Sequence, residues 1–431
     1  MSLPVVAVSP RLADDRRVLQ QSRTTATAGW VHAARGAAAL GAAMGIGRFA
    51  FTPILPMMTA HAGLTPQGGA TLATANYVGY LAGALAATAS PRAARSPVVL
   101  RASLITLVIT LLAMPLPDSP IQWTVLRLLA GFTSALVFVG AVNLMMDQLR
   151  HHSPHLAGWG FSGIGIGIAA SGLVVFALPA NADWRSAWWA VGVLAAVLAA
   201  GAWATRHGET AAKMEVANPT PSQQNSGRRR FAVLMACYTL EGIGYIIAGT
   251  FLVAAIEQTT PGWLGNGAWI VVGVAAAPSA ALWAWLSGHF THPPLLAGAL
   301  LLQAVGIALP AVASGPAAAL AGAILFGVTF VGVSTIALAA GAHLNVPRAV
   351  ALLTAGYSAG QIAGPLLAAP LLHHGFQTVL IAGAGVVVCA AAVAALLWIG
   401  YPGQEQWVSG ADRPPGPTTH RRQDPRPRRR R

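Results

Sequence analysis

The sequence predicts an all-α polytopic membrane protein of twelve spans, built as two repeats of six. Three observations carry the prediction. Of 431 residues, 55% are hydrophobic and 9% charged, against about 25% charged in an average soluble domain. Mean hydropathy is +0.60. Apolar segments of about twenty residues, long enough to cross a bilayer, recur along the chain, six on each side of a polar stretch. Short motifs in the first six segments return in the second six at a nearly constant offset.

In chain order, residues 1–29 hold Asp14, Asp15 and four arginines without a continuous apolar core. They are expected to be a cytoplasmic tail rather than a signal peptide. Apolar segments follow near 31–58, 69–90, 98–116, 121–145, 157–179 and 185–205, giving a first six-helix unit over 30–205. Residues 206–230 are polar, run through Pro219, Pro221 and Asn225, and close on Arg228, Arg229 and Arg230; they read as a linker. Segments near 231–256, 267–289, 293–312, 316–341, 349–372 and 376–400 make a second unit over 231–400. The Pro/Arg-rich remainder, 401–431, has the composition of a disordered tail.

Orientation follows from the basic residues near segment ends. Arg92, Arg95, Arg101, Arg150, Arg206, Lys213, Arg228, Arg229, Arg230 and Arg348 fall on one side, and only Arg185, beside Asp183, on the other. Both termini and the linker are therefore expected in the cytoplasm. The net charge of +14 comes from loops and tails, so nucleic acid is not expected as a partner. The closing run Arg428–Arg431 suits anionic lipid head groups, although a plain positive-inside tail explains it equally well.

The repeat is explicit. Gly45-Ile46-Gly47 returns as Gly242-Ile243-Gly244, 197 residues on. Gly131 and Thr133 match Gly327 and Thr329, and Gly160-Phe161-Ser162 matches Gly356-Tyr357-Ser358, each 196 on. Two parallel six-helix repeats about an axis along the membrane normal are the plan of the major facilitator fold.

Gly45-Ile46-Gly47-Arg48-Phe49-Ala50-Phe51-Thr52-Pro53 resembles the first-helix signature of the YbfB/YjiJ family of bacterial major facilitator transporters. Asn76-Tyr77-Val78-Gly79-Tyr80, Glu241 through Ile247 and Gly360 through Pro365 resemble further segments of that family. The resemblance implies the major facilitator fold and a gradient-driven transporter, with no substrate attached. The loop after the second segment departs from the superfamily: Ala87 and Thr88 stand where an Asp-Arg pair is usual, so the customary cytoplasmic latch is not expected. Arg127 with Gly131 resembles the superfamily's Arg-x-x-x-Gly motif, which in drug–proton antiporters is associated with proton coupling.

Arg48 and Glu241 are the most informative charges. A charge near the centre of a membrane helix costs about 2.5–3.5 kcal/mol on insertion scales, so both are expected to face protein or water rather than lipid. Gly45 and Gly47 allow close approach around Arg48, and Pro53 and Pro56 bend or break the helix beyond it. Register places Glu241 opposite Met44, one turn from Arg48, and predicts an ion pair that breaks and reforms between inward- and outward-facing states. A static pair that only holds helices together is the plainer alternative. Tyr238, Glu241 and Tyr245 recur at helical spacing, as do Asn76, Tyr80 and Gly83, and Tyr357, Gln361 and Gly364. Rings with polar tips suit a small organic solute; ordinary packing is the alternative for each.

No nucleotide-binding loop, His-Glu-x-x-His or paired-cysteine spacing occurs. No cofactor or metal is therefore expected, and Cys237 and Cys389 read as small packing residues. The function expected is secondary active transport of a small organic solute by a monomer, proton-coupled, with a lean to export from the aromatic stripes and the Arg127 motif. The alternatives are a non-transporting sensor or assembly partner on a transporter scaffold, and an intramembrane enzyme. The first would not need three mid-membrane charges, and the second lacks its constellation of catalytic side chains.

Overall fold

In the computed structural model, which describes residues 27–149, 152, 155–179, 182–203, 221–260, 262–344, 346 and 349–398, the chain is helical, with no strand among those residues. Arg150, Arg206, Lys213, Arg348, the C-terminal tail and most of the N-terminal tail and linker lie outside them. The first unit contains α1 (Thr27–His61), α2 (Pro66–Ala89), α3 (Pro97–Ala113), α4 (Pro120–Leu149), α5 (His155–Phe176) and α6 (Trp184–Ala202). The second contains α7 (Pro221–Thr259), α8 (Leu264–Ser287), α9 (His292–Val312), α10 (Pro316–His343), α11 (Ala349–Ala368) and α12 (Phe376–Leu396).

Nine of these are long and apolar enough to cross a membrane. The exceptions are α2, α3 and α11. The α3 helix has 17 residues, and Asn76, Gln361, threonines and glycines dilute the hydropathy of α2 and α11. Each expected segment thus has a helix in its place, while the count of twelve crossings remains an expectation. One boundary differs from the sequence reading. The α7 helix begins at Pro221, so the second part of the expected linker, with Arg228–Arg230, is a helical extension of the seventh segment.

Local chemistry sets the helix ends. Thr65 caps α2 by accepting from the Gly68 amide at 3.0 Å, and Pro66 supplies a first residue whose missing N–H costs nothing there. Asp183 caps α6 through the Ser186 amide at 2.9 Å; this bond holds its carboxyl below the usual carboxylate range. The end of the bundle holding Arg92, Arg95 and Arg228–Arg230 is basic. The opposite end carries Asp118, Asp183 and Glu257, with Arg185 paired to Asp118.

Within the first unit α2 packs chiefly on α4; within the second, α7 packs on α11 and α12. The α2/α11 and α5/α8 pairs join the two units, and the second half of α1 meets α7. The repeat is visible atom by atom. A Cβ on Gly131 would lie 1.9 Å from the Asn76 carbonyl oxygen, and one on Gly327 2.4 Å from that of Val272. Both members of the second contact stand 196 residues beyond those of the first. Both matched glycines therefore let one helix backbone pass against another.

The α1 helix is broken where the sequence places Arg48. Residues Gly41–Ile46 form a π-helical turn, residues 47–50 a hydrogen-bonded turn closed by the Ala50 amide on the Ile46 carbonyl at 3.0 Å, and the regular helix restarts at Phe51. The break thus falls before Pro53. That proline sits in the first turn of the restarted helix, where no donor is missed.

Candidate substrate cavity and buried charges

The break frees backbone carbonyls in an apolar setting, where each must find a donor. Arg127 on α4 supplies two: its Nη1 and Nη2 donate to the carbonyls of Gly47 and Arg48, each at 3.1 Å. Ser134 donates to the Ala43 carbonyl, and Asn76 donates to the Arg127 carbonyl at 2.9 Å. Arg127 is 1% exposed and lies over the Phe51 ring. In this state it is a staple on the backbone of α1.

Arg48, placed by that turn, reaches across to the second unit. Its Nη2 donates to Gln361 Oε1 on α11 at 2.8 Å, and Gln361 Nε2 in turn donates to the Tyr245 hydroxyl. The Arg48 guanidinium lies 4.1 Å from the ring centroid of Tyr80 and 5.1 Å from that of Tyr77, a cation–π arrangement. The ring of Tyr357 stacks on Tyr238 at 4.3 Å and on Tyr245 at 5.4 Å. All of these except Tyr77 line one cavity of about 400 Å³ between the two units.

The cavity is asymmetric along the bundle. Its other walls include Ala157 and Gly158 at the start of α5, Ala284 near the end of α8, Leu338 near the end of α10 and Thr354 near the start of α11. All of these lie toward the basic end. Toward the opposite end the units touch: Thr52 donates to the Gly249 carbonyl, the Tyr77 and Thr250 hydroxyls are 3.1 Å apart, and Phe49 meets Phe330 edge to face.

Of the residues singled out from sequence, Arg48, Tyr80, Tyr238, Tyr245, Tyr357 and Gln361 line this cavity, and Asn76, Arg127 and Glu241 do not. The expected Arg48–Glu241 ion pair is absent. Glu241 is fully buried, neither of its oxygens accepts a hydrogen bond, and the polar side chain facing it is Gln303 of α9. Gln303 is itself fully buried, with no amide atom in good hydrogen-bond geometry. The reason is angular. At 3.6 residues per turn Tyr238 and Tyr245 point within about 20° of each other, whereas Glu241 is turned about 60° from Tyr238. That rotation carries the carboxyl out of the cavity, toward α9.

Sequence reasoning missed Thr52, Gly249, Tyr77, Thr250 and Gln303. One signal was available for the first two. They stand 197 residues apart, the repeat offset, and a residue touching its own repeat counterpart must lie at the pseudo-two-fold axis.

Comparison with known proteins agrees with the fold. The family model described as "Uncharacterised MFS-type transporter YbfB" matches residues 40–395. No curated protein matches the chain. Among solved structures, the nucleoside transporter NupG (D323A mutant) is similar with a TM-score of 0.66 at 14% identity, covering 85% of this chain and 100% of that one. A bacterial homolog of the human lysosomal transporter Spinster, in an inward-facing and unoccupied conformation, gives a TM-score of 0.66 at 15% identity, covering 86% of this chain and 97% of that one. At these identities the likeness concerns the fold.

Proposed function

The chain belongs to the family of MFS-type transporters described by YbfB, and on that premise we propose that it is a proton-coupled secondary transporter of a small organic solute, working by alternating access. The observation that carries the reading is the cavity between the two units, closed at one end by Thr52–Gly249 and Tyr77–Thr250 and extending toward the other. By the positive-inside rule the basic end is cytoplasmic. Both termini then face the cytoplasm of a bacterial inner membrane, and this conformer is the inward-facing one. A single chain is the proposed working unit.

Glu241 is the candidate proton carrier. A buried carboxylate with no cation beside it is a cost that a bound proton removes. The Gly242 position lies against the Tyr357 carbonyl, so a change at Glu241 is transmitted to the tyrosine stack through one α7/α11 contact. Direction is set by the gradients imposed, and the aromatic lining that suggested export serves any amphipathic solute.

The test is uptake of a labelled metabolite panel into membrane vesicles with and without the protein, under an imposed pH gradient. Solutes accumulated only with the protein are then retested with Glu241→Gln. Retained solute exchange with lost proton-driven accumulation is the expected result. Accumulation by Glu241→Gln at the unmodified rate removes Glu241 from coupling, and a panel with no protein-dependent flux removes the transport reading.

A further inference from the structure

The cavity holds one charge. Arg48 is 2% exposed, and its partners are all neutral: the Gln361 amide oxygen, the Tyr80 hydroxyl and the faces of nearby rings. Its Nε donor is buried and unbonded. No Asp or Glu is among the described residues that line the cavity. The other two buried mid-helix charges are accounted for elsewhere, Arg127 on the backbone of α1 and Glu241 behind the tyrosines.

A cation held in a low-dielectric cavity without a counter-ion is a standing cost, which a negative group entering the site would offset. The guanidinium fork is matched to a carboxylate or sulfonate, which accept two parallel hydrogen bonds. The rest of the wall selects the body of the ligand. Eight of the 22 lining residues are aromatic, about a third, against 7% of the chain. Three of those rings, Tyr238, Tyr357 and Tyr245, lie nearly parallel, at 15° and 10° to their neighbours. Tyr357 stacks on both of the others, so the three form one rigid wall, against whose edges a flat ring system packs edge to face. A zwitterion would bring an ammonium into a site with no carboxylate to receive it.

We infer that the cavity is a binding site for a flat aromatic organic monoanion, with Arg48 as its anchor and the Tyr238/Tyr357/Tyr245 stack as a rigid aromatic wall. For the steps after binding, this inference rests on the transporter reading; it names the solute class of the same site. Gln361 holds the Arg48 fork in the empty site and yields it to the arriving anion. The amide, released from Arg48, keeps its bond to Tyr245 and so reports occupancy to α7.

The test uses three probes of one shape and different charge: 2-naphthoate, 2-naphthamide and 2-naphthamidine. Binding to the purified full-length protein in lipid nanodiscs is measured by quenching of intrinsic tryptophan fluorescence. Expected are saturable binding of 2-naphthoate, affinity for 2-naphthamide lower by at least about tenfold, and no binding of 2-naphthamidine. Arg48→Gln should erase the difference between acid and amide, and Arg48→Lys should restore part of it. The three-probe comparison on the unaltered protein stands even if an Arg48 variant fails to fold. Equal affinity for all three, preference for the amidine, absence of 2-naphthoate binding, or unchanged acid preference in a folded Arg48→Gln protein would each overturn the inference. Anion-selective binding with no protein-dependent flux counts against transport alone. Protein-dependent flux of other solutes with no anion preference counts against this inference alone.

Discussion

The repeat places the middle of α1 and the middle of α7 in equivalent positions, and the two solve the same problem in opposite ways. The α1 helix gives way to a π turn and a non-helical turn around Gly47, and carbonyls freed there are taken up by Arg127 and Ser134. The α7 helix runs unbroken from Pro221 to Thr259. It needs no such donors, yet it carries Glu241, whose carboxyl has none. The first unit thus has irregular backbone with its polar groups satisfied, and the second has regular backbone with a polar side chain left unsatisfied. A satisfied network rigidifies its surroundings, while an unsatisfied group is one whose charge state the environment leaves open. On the proposed mechanism, the fixed part is on α1 and the changeable part on α7.

The largest expected effect comes from removing the staple. Arg127→Ala leaves the Gly47 and Arg48 carbonyls buried without donors, at about 1–3 kcal/mol for each orphaned acceptor. The midpoint of thermal unfolding in detergent should fall sharply, and Arg127→Lys should recover only part of it, since an ammonium lacks the planar fork. A variant that folds normally but fails only in transport would return Arg127 to the coupling role its motif suggested.

Next comes the close approach of α2 and α4. Gly131→Ala brings a Cβ to 1.9 Å from a carbonyl oxygen, and the helices must separate, at about 1–3 kcal/mol. Gly327→Ala, with 2.4 Å at the equivalent place, should lower the unfolding midpoint less. The reverse order would show that the two units tolerate separation differently from what their geometry implies.

Smaller effects are expected on the other side of the comparison. Tyr77→Phe removes the hydroxyl contact to Thr250 at the closed end, worth about 0.5–1.5 kcal/mol, and should make that end open more readily. Glu241→Gln removes a buried charge and keeps an amide that can face Gln303, so the unfolding midpoint should stay or rise. A fall of several degrees would reveal a partner for the carboxylate.

The parts legible in the sequence are those that the bilayer dictates. Apolar segment lengths and the offset of 196–197 foretold the major facilitator fold, because lipid excludes most other solutions. Arg48 was legible as a cavity residue from the cost of its charge alone. Its partner was not: Gln361 is 313 residues away and is one of several polar side chains that could have faced it. The backbone bonds of Arg127 were not legible, because the location of the break in α1 is not written in hydropathy. Glu241 was placed in the wrong direction by about 60° of helix rotation, less than one residue's turn. Thr52 and Gly249 were within reach, since their spacing equals the repeat offset.

The central claim, a site reached from one end at a time, is tested most directly by the side from which it can be labelled. Ser334 lines the cavity on α10, and Ser334→Cys in a chain with Cys237 and Cys389 replaced by alanine offers a single thiol. A membrane-impermeant maleimide is applied to inside-out and to right-side-out vesicles. The account predicts fast labelling from the cytoplasmic side and slow labelling from the outside, with the outside rate raised when Tyr77→Phe is added. Equal rates from both sides, faster labelling from the outside, or an outside rate unmoved by Tyr77→Phe would contradict it.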